Sequence, residues 1–223
     1  MPACTICGHS EFKLGPLGRV AKNGNPQPPR CIHCRSLERH RIIRQIYDAL
    51  PDTMLSQLSA LQFSDDIGAP KERFGTYEIS QFGEDNSLDI CDIARPDANY
   101  DWVVCNHVIE HVEDEFAAMA ELLRITKPTG VLQMSVPETF KALETTEYGA
   151  PFEDDYFHWR SYGSDFPFRY SRQLEGVSGL QAIASDPVTG CWDVVYLFTR
   201  SRDRMRDIGQ SLYDADLMVL RAC

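Results

Sequence analysis

Apolar positions along this chain follow two rhythms, and the switches between them mark its elements. Leu37, Ile42, Ile43, Ile46 and Leu50 recur at three- and four-residue steps, the period of one helix face. Ser36 stands where a cap is wanted and Pro51 ends the run, so an amphipathic helix is expected over 36–50. Its Arg35, Arg39, Arg41 and Arg44 would form a solvated face with extended side chains, or alternatively a phosphate-binding one. Shorter apolar runs at 60–64, 75–80, 100–106 and 131–136 have strand length. The run at 100–106 barely alternates, as a strand covered on both faces would. Phe116, Met119, Ala120, Leu122 and Leu123 predict a helix over 114–127, closed by Pro128-Thr-Gly130. Residues 137–169 read as a long aromatic loop and 170–177 as helical, while 180–185 and 192–199 read as a closing antiparallel pair. Beyond 200, Met205, Ile208, Leu212, Leu217, Val219 and Leu220 line a helical tail that would dock on the body or, by preference, on a second copy.

Strands alternating with helices and ending in a hairpin imply an α/β protein, a three-layer sandwich around a mostly parallel sheet with an antiparallel final strand. We divide it into a module over 1–50, a body over 51–200 and a tail over 201–223. No internal repeat interrupts it.

The cysteines add a second feature. Cys4-Thr-Ile-Cys7-Gly8 and Cys31-Ile-His-Cys34 are two Cys-x-x-Cys pairs separated by twenty-three residues. Two such knuckles turn four thiolates toward one point, which suits a tetrahedral structural zinc site with no position left for water. Two disulfides or free thiols are the alternatives, and His9 and His33 are substitute ligands. Gly8 fits the positive φ that the knuckle requires. Cys91, Cys105, Cys191 and Cys223 are scattered and read as buried or inert. A module this poor in apolar residues needs such a staple.

Composition changes the picture through charge. The chain of 223 residues carries a net charge of −11, with Lys and Arg at 22 against 33 Asp and Glu. Residues 1–50 hold eight basic and three acidic side chains, so the body is strongly acidic and the module basic. An acidic body argues against a nucleic-acid coat or an anionic membrane surface, although the basic module leaves RNA open. No apolar run is long enough to span a bilayer and no leader pattern precedes the module, which together imply a soluble cytoplasmic protein.

Ligands of parallel sheets bind outside the carboxyl ends of the strands, which draws attention to 64–68, 78–81, 89–92 and 106–111. There the chain resembles class I S-adenosylmethionine-dependent methyltransferases of the type 11 kind. Leu88-Asp-Ile-Cys-Asp-Ile93, Asp101-Trp-Val-Val-Cys-Asn-His-Val-Ile-Glu-His-Val112 and Thr126-Lys-Pro-Thr-Gly-Val-Leu-Gln-Met-Ser-Val-Pro137 carry the resemblance. Arg30 to Arg41 resembles the start of a subgroup that bears an N-terminal zinc-ribbon-like module. The resemblance implies a Rossmann-like fold, an S-adenosyl-L-methionine cofactor and methyl transfer. It places the cofactor against Phe63, Ser64, Asp66 and Gly68, with Asp89 and Ile90 at the adenine and Asn106 and His107 after the next strand. The ribose would fall to Glu78, or to Gln81 if the strand runs further. The glycine-rich first turn of the family is reduced here to Asp65-Asp-Ile-Gly68.

Methyl transfer is an in-line displacement that needs alignment and, for a hydroxyl or protonated amine acceptor, a base. His107 and His158 are the catalytic candidates. His158, in a stretch resembling a His-x-Arg-x-Tyr-Gly segment of the same subgroup, would alternatively be a structural residue paired with Asp154 or Asp155; His111 reads as structural. The expected activity is methylation of a small molecule or sugar. RNA methylation guided by the module and a zinc-bearing scaffold that has lost catalysis are the alternatives.

Overall fold

The computed structural model describes residues 2–222. Its N-terminal module is built from β1 (Phe12–Lys13) and β2 (Arg30–Cys31), an antiparallel pair with Phe12 opposite Cys31. Helices α1 (Glu38–Asp48) and α2 (Asp52–Leu55) follow. The body continues with β3 (Ser59–Phe63), β4 (Thr76–Ser80), β5 (Tyr100–Asn106), α3 (Glu115–Ile125) and β6 (Thr126–Ser135). A hairpin of β7 (Thr146–Phe152) and β8 (His158–Ser161), then α4 (Phe166–Arg169), precedes β9 (Ser178–Ser185) and β10 (Trp192–Thr199). The chain closes with α5 (Arg202–Asp214) and β11 (Met218–Arg221).

One seven-stranded sheet organises the body in the order β11-β9-β10-β6-β5-β3-β4. Strands β3 to β6 are mutually parallel, and β10 joins β6 antiparallel, as expected. Side chains at even positions of β5 (Trp102, Val104) face a core shared with α1 and α5, while odd ones (Val103, Cys105) face α3 and the aromatic segment 162–177. Helices on both faces explain why β3 and β5 are buried along nearly their whole length. Gly130 lets β6 turn against β5, because a Cβ there would sit 2.9 Å from the Asp101 carbonyl.

Several expectations are corrected. The 137–169 stretch is not one continuous loop but carries a hairpin over 146–161, and 170–177 forms turns, the short helix lying upstream at 166–169. The helical tail ends at Asp214, and the chain then returns as β11, which pairs with β9. Met205, Ile208 and Leu212, the stripe offered for self-association, are buried against the sheet of their own chain. Between β3 and β4 the crossover holds only a short turn at Lys71–Arg73, and 81–99 contains neither helix nor strand.

The helix over 36–50 is present, yet its start and its polar face differ from expectation. Ser36 does not cap it; Leu37 occupies the cap position, and its N–H donates to His40 Nδ1 at 3.0 Å. Arg41, expected in solvent, is fully buried. Its Nε and Nη2 donate to the two oxygens of the equally buried Asp186 at 2.6 and 2.8 Å. The same guanidinium donates to the carbonyls of Ser36 and Pro29, so module, α1 and the β9–β10 turn converge on one charge pair. No helix among the described residues is long and apolar enough to cross a membrane.

Candidate functional site

The two Cys-x-x-Cys pairs meet in space. Donor atoms of Cys4, Cys7, Cys31 and Cys34 all lie within 4.8 Å of one another, with Cys4–Cys34 at 3.6 Å and Cys7–Cys31 at 3.5 Å between sulfurs. Four sulfurs each ~2.3 Å from a tetrahedral zinc would be ~3.8 Å apart, so the set fits that ion closely. Both knuckles close alike: Gly8 N–H donates to Cys4 O and Arg35 N–H to Cys31 O, and each closing residue has a positive φ, 77° and 63°. His9 and His33 stand outside the cluster, their rings stacked at 3.5 Å, with His33 paired to Glu11. Ser36 Oγ lies 3.2 Å from the sulfurs of Cys4 and Cys34 and also accepts from Arg41, which wires the cluster to the buried ion pair. Of the scattered cysteines, Cys105 and Cys191 are buried and Cys91 partly so; Cys223 falls outside the described residues.

The second constellation lies at the carboxyl ends of β3 to β6. Phe63 ends β3 in the core, and Ser64 follows with φ 65°. The next residues are held tightly. Gln62 donates to the Asp66 carbonyl, Asp66 Oδ1 accepts from Gly68 N–H, and Asp66 Oδ2 faces His40 Nε2 at 3.8 Å. Burial drives the His40 pKa down to about 4, so its ring is neutral; with Nδ1 accepting from Leu37, Nε2 carries the proton. Gly68 is needed for packing: a Cβ would come within 2.9 Å of Ile43 on α1.

Glu78 sits within β4, two residues before its end, and receives hydrogen bonds from Arg95 and Tyr100. Gln81 follows the strand and accepts from the Asp65 N–H at 2.8 Å. Asp89 is exposed and folds an Asx turn onto Cys91 N–H, while Ile90 is buried beside it. Leu88 N–H donates to Ser80 Oγ, which fixes this loop at the end of β4.

At the end of β5 the structure leaves polar atoms unmet. Asn106 Oδ1 accepts from Ser135 Oγ at 3.0 Å, but its Nδ2 is buried without a partner. His107 has φ 53°, its Nε2 is likewise buried and unpaired, and its Nδ1 lies 3.5 Å from Glu110. Burial, with Arg39 and Lys22 nearby, lowers the His107 pKa well below its ordinary value, so the ring is a neutral base. Glu110 is 1 % exposed, and neither carboxylate oxygen has a hydrogen-bond partner. Burial raises its pKa to about 8.

The β7–β8 hairpin covers this region. Arg160 donates to the carbonyls of Val112 and Glu113 at 2.7 and 2.8 Å, while Tyr162 and Tyr170 donate to the buried Glu115 at 2.6 and 2.7 Å. These bonds bring the buried His158 against His111, ring centroids 4.6 Å apart, with Asp155 3.3 Å from His158 Nδ1. A cavity of about 80 Å³ opens beside it, lined by Glu138, Lys141, Asp155, His158, Arg160 and Tyr162 among others. His107 and His158 thus share one end of the sheet.

Sequence reasoning placed Arg39, whose Nε is buried and unpaired, only among the four arginines of one helix face, and it missed Asp193, buried at the start of β10. It also passed over Glu110. Arg39 was concealed among the arginines of α1. Asp193 lies on a strand that runs antiparallel to its neighbour and so begins at the site end, a placement only topology reveals.

A family model described as a methyltransferase domain matches residues 77–134, from β4 to β6. No curated protein matches the chain. Among solved structures, a chain of the Haloferax volcanii complex between the Trm112 methyltransferase activator and a protein assigned as a methyltransferase is 11% identical. The match covers 71% of this chain and 89% of that one, with a TM-score of 0.50. A SAM-dependent methyltransferase of Thermotoga maritima is 11% identical over 73% of this chain and 91% of its own, with a TM-score of 0.47. One from Aquifex aeolicus is 13% identical over 70% and 88%, with a TM-score of 0.43. At such identities the likeness is one of fold: this chain has a Rossmann-like methyltransferase fold with a clustered four-cysteine module at its N-terminus.

Proposed function

We propose that this protein is an S-adenosylmethionine-dependent methyltransferase that acts on a small-molecule or sugar acceptor, with a structural zinc ion in its N-terminal module. One observation carries the reading. Within the methyltransferase match, at the ends where parallel sheets bind ligands, Asn106 Nδ2 and His107 Nε2 are buried with no partner, and Arg39 Nε faces the same region in the same state. Buried polar atoms cost roughly 1–3 kcal/mol each when left unpaired, so a polar ligand that meets them is expected there. They fit S-adenosylmethionine. Arg39 and Asn106 offer donors to its carboxylate, and Phe63, Ser64, Asp66 and Gly68 would flank its methionine part. Asp89 and Ile90 would hold the adenine, with Gln81 or Glu78 toward the ribose; since Glu78 is already engaged by Arg95 and Tyr100, we favour Gln81.

When bound, the sulfonium cofactor supplies an electrophilic methyl group. The chain's part is to align the acceptor and remove its proton. With the cofactor bound, His107 Nε2 would take the proton of the acceptor atom as that atom receives the methyl group. His158, oriented by Asp155 and lining the cavity, positions the acceptor. The acceptor is small because the body is acidic and because much of the module's basic charge is already engaged. Arg41 is buried on Asp186, Arg19 pairs with Glu38, Lys22 with Glu138, and Arg44 donates to Gly68. Engagement of these four of the module's eight basic side chains halves what could neutralise a phosphate backbone. Thiols gathered for a metal call for a reducing compartment, which supports a cytoplasmic setting.

Calorimetric titration with S-adenosylhomocysteine tests the reading. Binding is expected, and Asp89→Ala should weaken it about tenfold or more, since a hydrogen bond to a charged group contributes about 1.5–3 kcal/mol. Absence of binding at millimolar ligand would overturn the enzyme reading and leave a zinc-bearing scaffold.

A further inference from the structure

We infer that Glu110, His111 and His158 form a second, non-thiolate site for a divalent cation, and that its open positions take an oxygen atom of the methyl acceptor. Donor atoms of the three residues lie within 4.8 Å of one another. They come from two elements, the turn at Ile109–His111 and strand β8, which Arg160 ties together through the carbonyls of Val112 and Glu113. The proximity is therefore built by the fold.

The Glu110 carboxyl points to a ligand. It is 1 % exposed, and neither oxygen accepts a hydrogen bond. A carboxyl excluded from water and left without a hydrogen bond is costly in either protonation state: ionised, it has only the side chains of Arg39 and Lys22 for counter-charge and neither bonds to it, and neutral, its one nearby acceptor is His107 Nδ1 at 3.5 Å, too far for a good hydrogen bond. Three imidazoles, those of His107, His111 and His158, stand beside it, and imidazoles ligate metals when neutral. A cation bound by one carboxylate and two imidazoles resolves all of this together.

The orientation of the histidines agrees. His158 Nδ1 lies 3.3 Å from Asp155, which leaves Nε2 as the ligating nitrogen and places a carboxylate behind the imidazole, the outer arrangement common to metal-bound histidines. His111 is exposed, packed edge-on to His158 and bonded to the Phe157 backbone, so exchanging that bond for a metal bond would let the three donors close to the ~3.0–3.4 Å spacing that metal–ligand distances of ~2.1 Å require. Imidazole and carboxylate donors suit zinc, iron, cobalt or manganese, and three protein ligands leave positions for exogenous oxygen. Asp155 and His158 line the 80 Å³ cavity, so an acceptor there would meet the cation. A cation lowers the pKa of a bound hydroxyl, easing the proton's transfer to His107. That last role rests on the methyl-transfer reading; cation binding itself does not.

The test is Co2+ titrated into the full, zinc-loaded chain without S-adenosylmethionine, followed by visible absorption. Binding of about one Co2+ per chain is expected, with d–d bands but no sulfur-to-metal charge-transfer band. His111→Ala, at an exposed position that leaves folding intact, and Glu110→Gln should each weaken it at least tenfold. Either no Co2+ uptake at millimolar metal, or unchanged affinity in both variants, would overturn the site. S-adenosylhomocysteine binding by the Co2+-free chain is measured separately, so failure of the methyl-transfer reading is distinguished from failure of the cation site.

Discussion

Removing one member of the Arg41–Asp186 pair should be the most damaging single substitution outside the apolar core. Both side chains are 0 % exposed, joined at 2.6 and 2.8 Å in a two-pronged contact. Asp186 also accepts from the N–H and hydroxyl of Thr189, and Arg41 from its side donates to Ser36 and Pro29. Asp186→Ala leaves the guanidinium buried without a counter-charge. Breaking a buried pair in this way costs about 3–5 kcal/mol. With a denaturant slope of about 2–3 kcal/mol/M, the urea midpoint should fall by roughly 1–2.5 M. Arg41→Met alone should cost about as much, because Asp186 is then the unpaired charge. The two substitutions together should be far from additive and recover about 2 kcal/mol or more of the summed loss, since no lone charge remains. Urea unfolding of the four proteins, followed by tryptophan fluorescence, measures the cycle. A single-variant cost below about 1 kcal/mol, or strict additivity, would refute the argument that this pair locks the module to the body.

Two further predictions concern metal and pH. Metal analysis of the purified chain should find zinc on the thiolate cluster. Cys7→Ser or Cys31→Ser should release it and loosen the module to proteolysis around residues 14–29; a chain folded there without zinc would contradict the assignment. Asp193 is 8 % exposed, and burial lifts its pKa to about 6, opposed in part by Lys22. The unfolded chain releases this proton near pH ~3.9, so the folded state loses stability as pH rises from there to about 6 and carries the full penalty, about 3 kcal/mol, above it. Asp193→Asn removes the titration. Its stability relative to wild type should therefore be about 1.5 kcal/mol more favourable at pH 8 than at pH 5. A difference between the two proteins that does not vary with pH would count against the buried carboxylate.

Local pattern carried much of the architecture. The β5 run at 100–106, the α3 stripe and the β9–β10 hairpin were legible because their burial is set by residues adjacent in sequence or a few steps apart. The cysteine cluster was legible for a similar reason: each knuckle is a four-residue geometry, and only the meeting of the two required the fold. Long-range pairing is what sequence concealed. The arginines of α1 look alike along the chain, yet Arg41 is buried because Asp186, 145 positions away, lies against it, whereas Arg39 turns toward the sheet's carboxyl end. The 137–169 segment has no helical or alternating period and is held, with Tyr170 just beyond it, through Arg160 and Tyr162, which bind the connection from β5 to α3 and the first residue of α3.

The same division holds for the chemistry. The motif around 101–112 and the Cys-x-x-Cys spacing by themselves point to one end of the parallel strands and to a gathering of thiols at the start. That His111 and His158 approach one another beside a Glu110 without a hydrogen bond was decided only in three dimensions, because the two histidines stand 47 positions apart along the chain. Helix and strand period record which side of a segment is buried; they hold no information about which distant polar group will share that burial, and it is this sharing that makes a site.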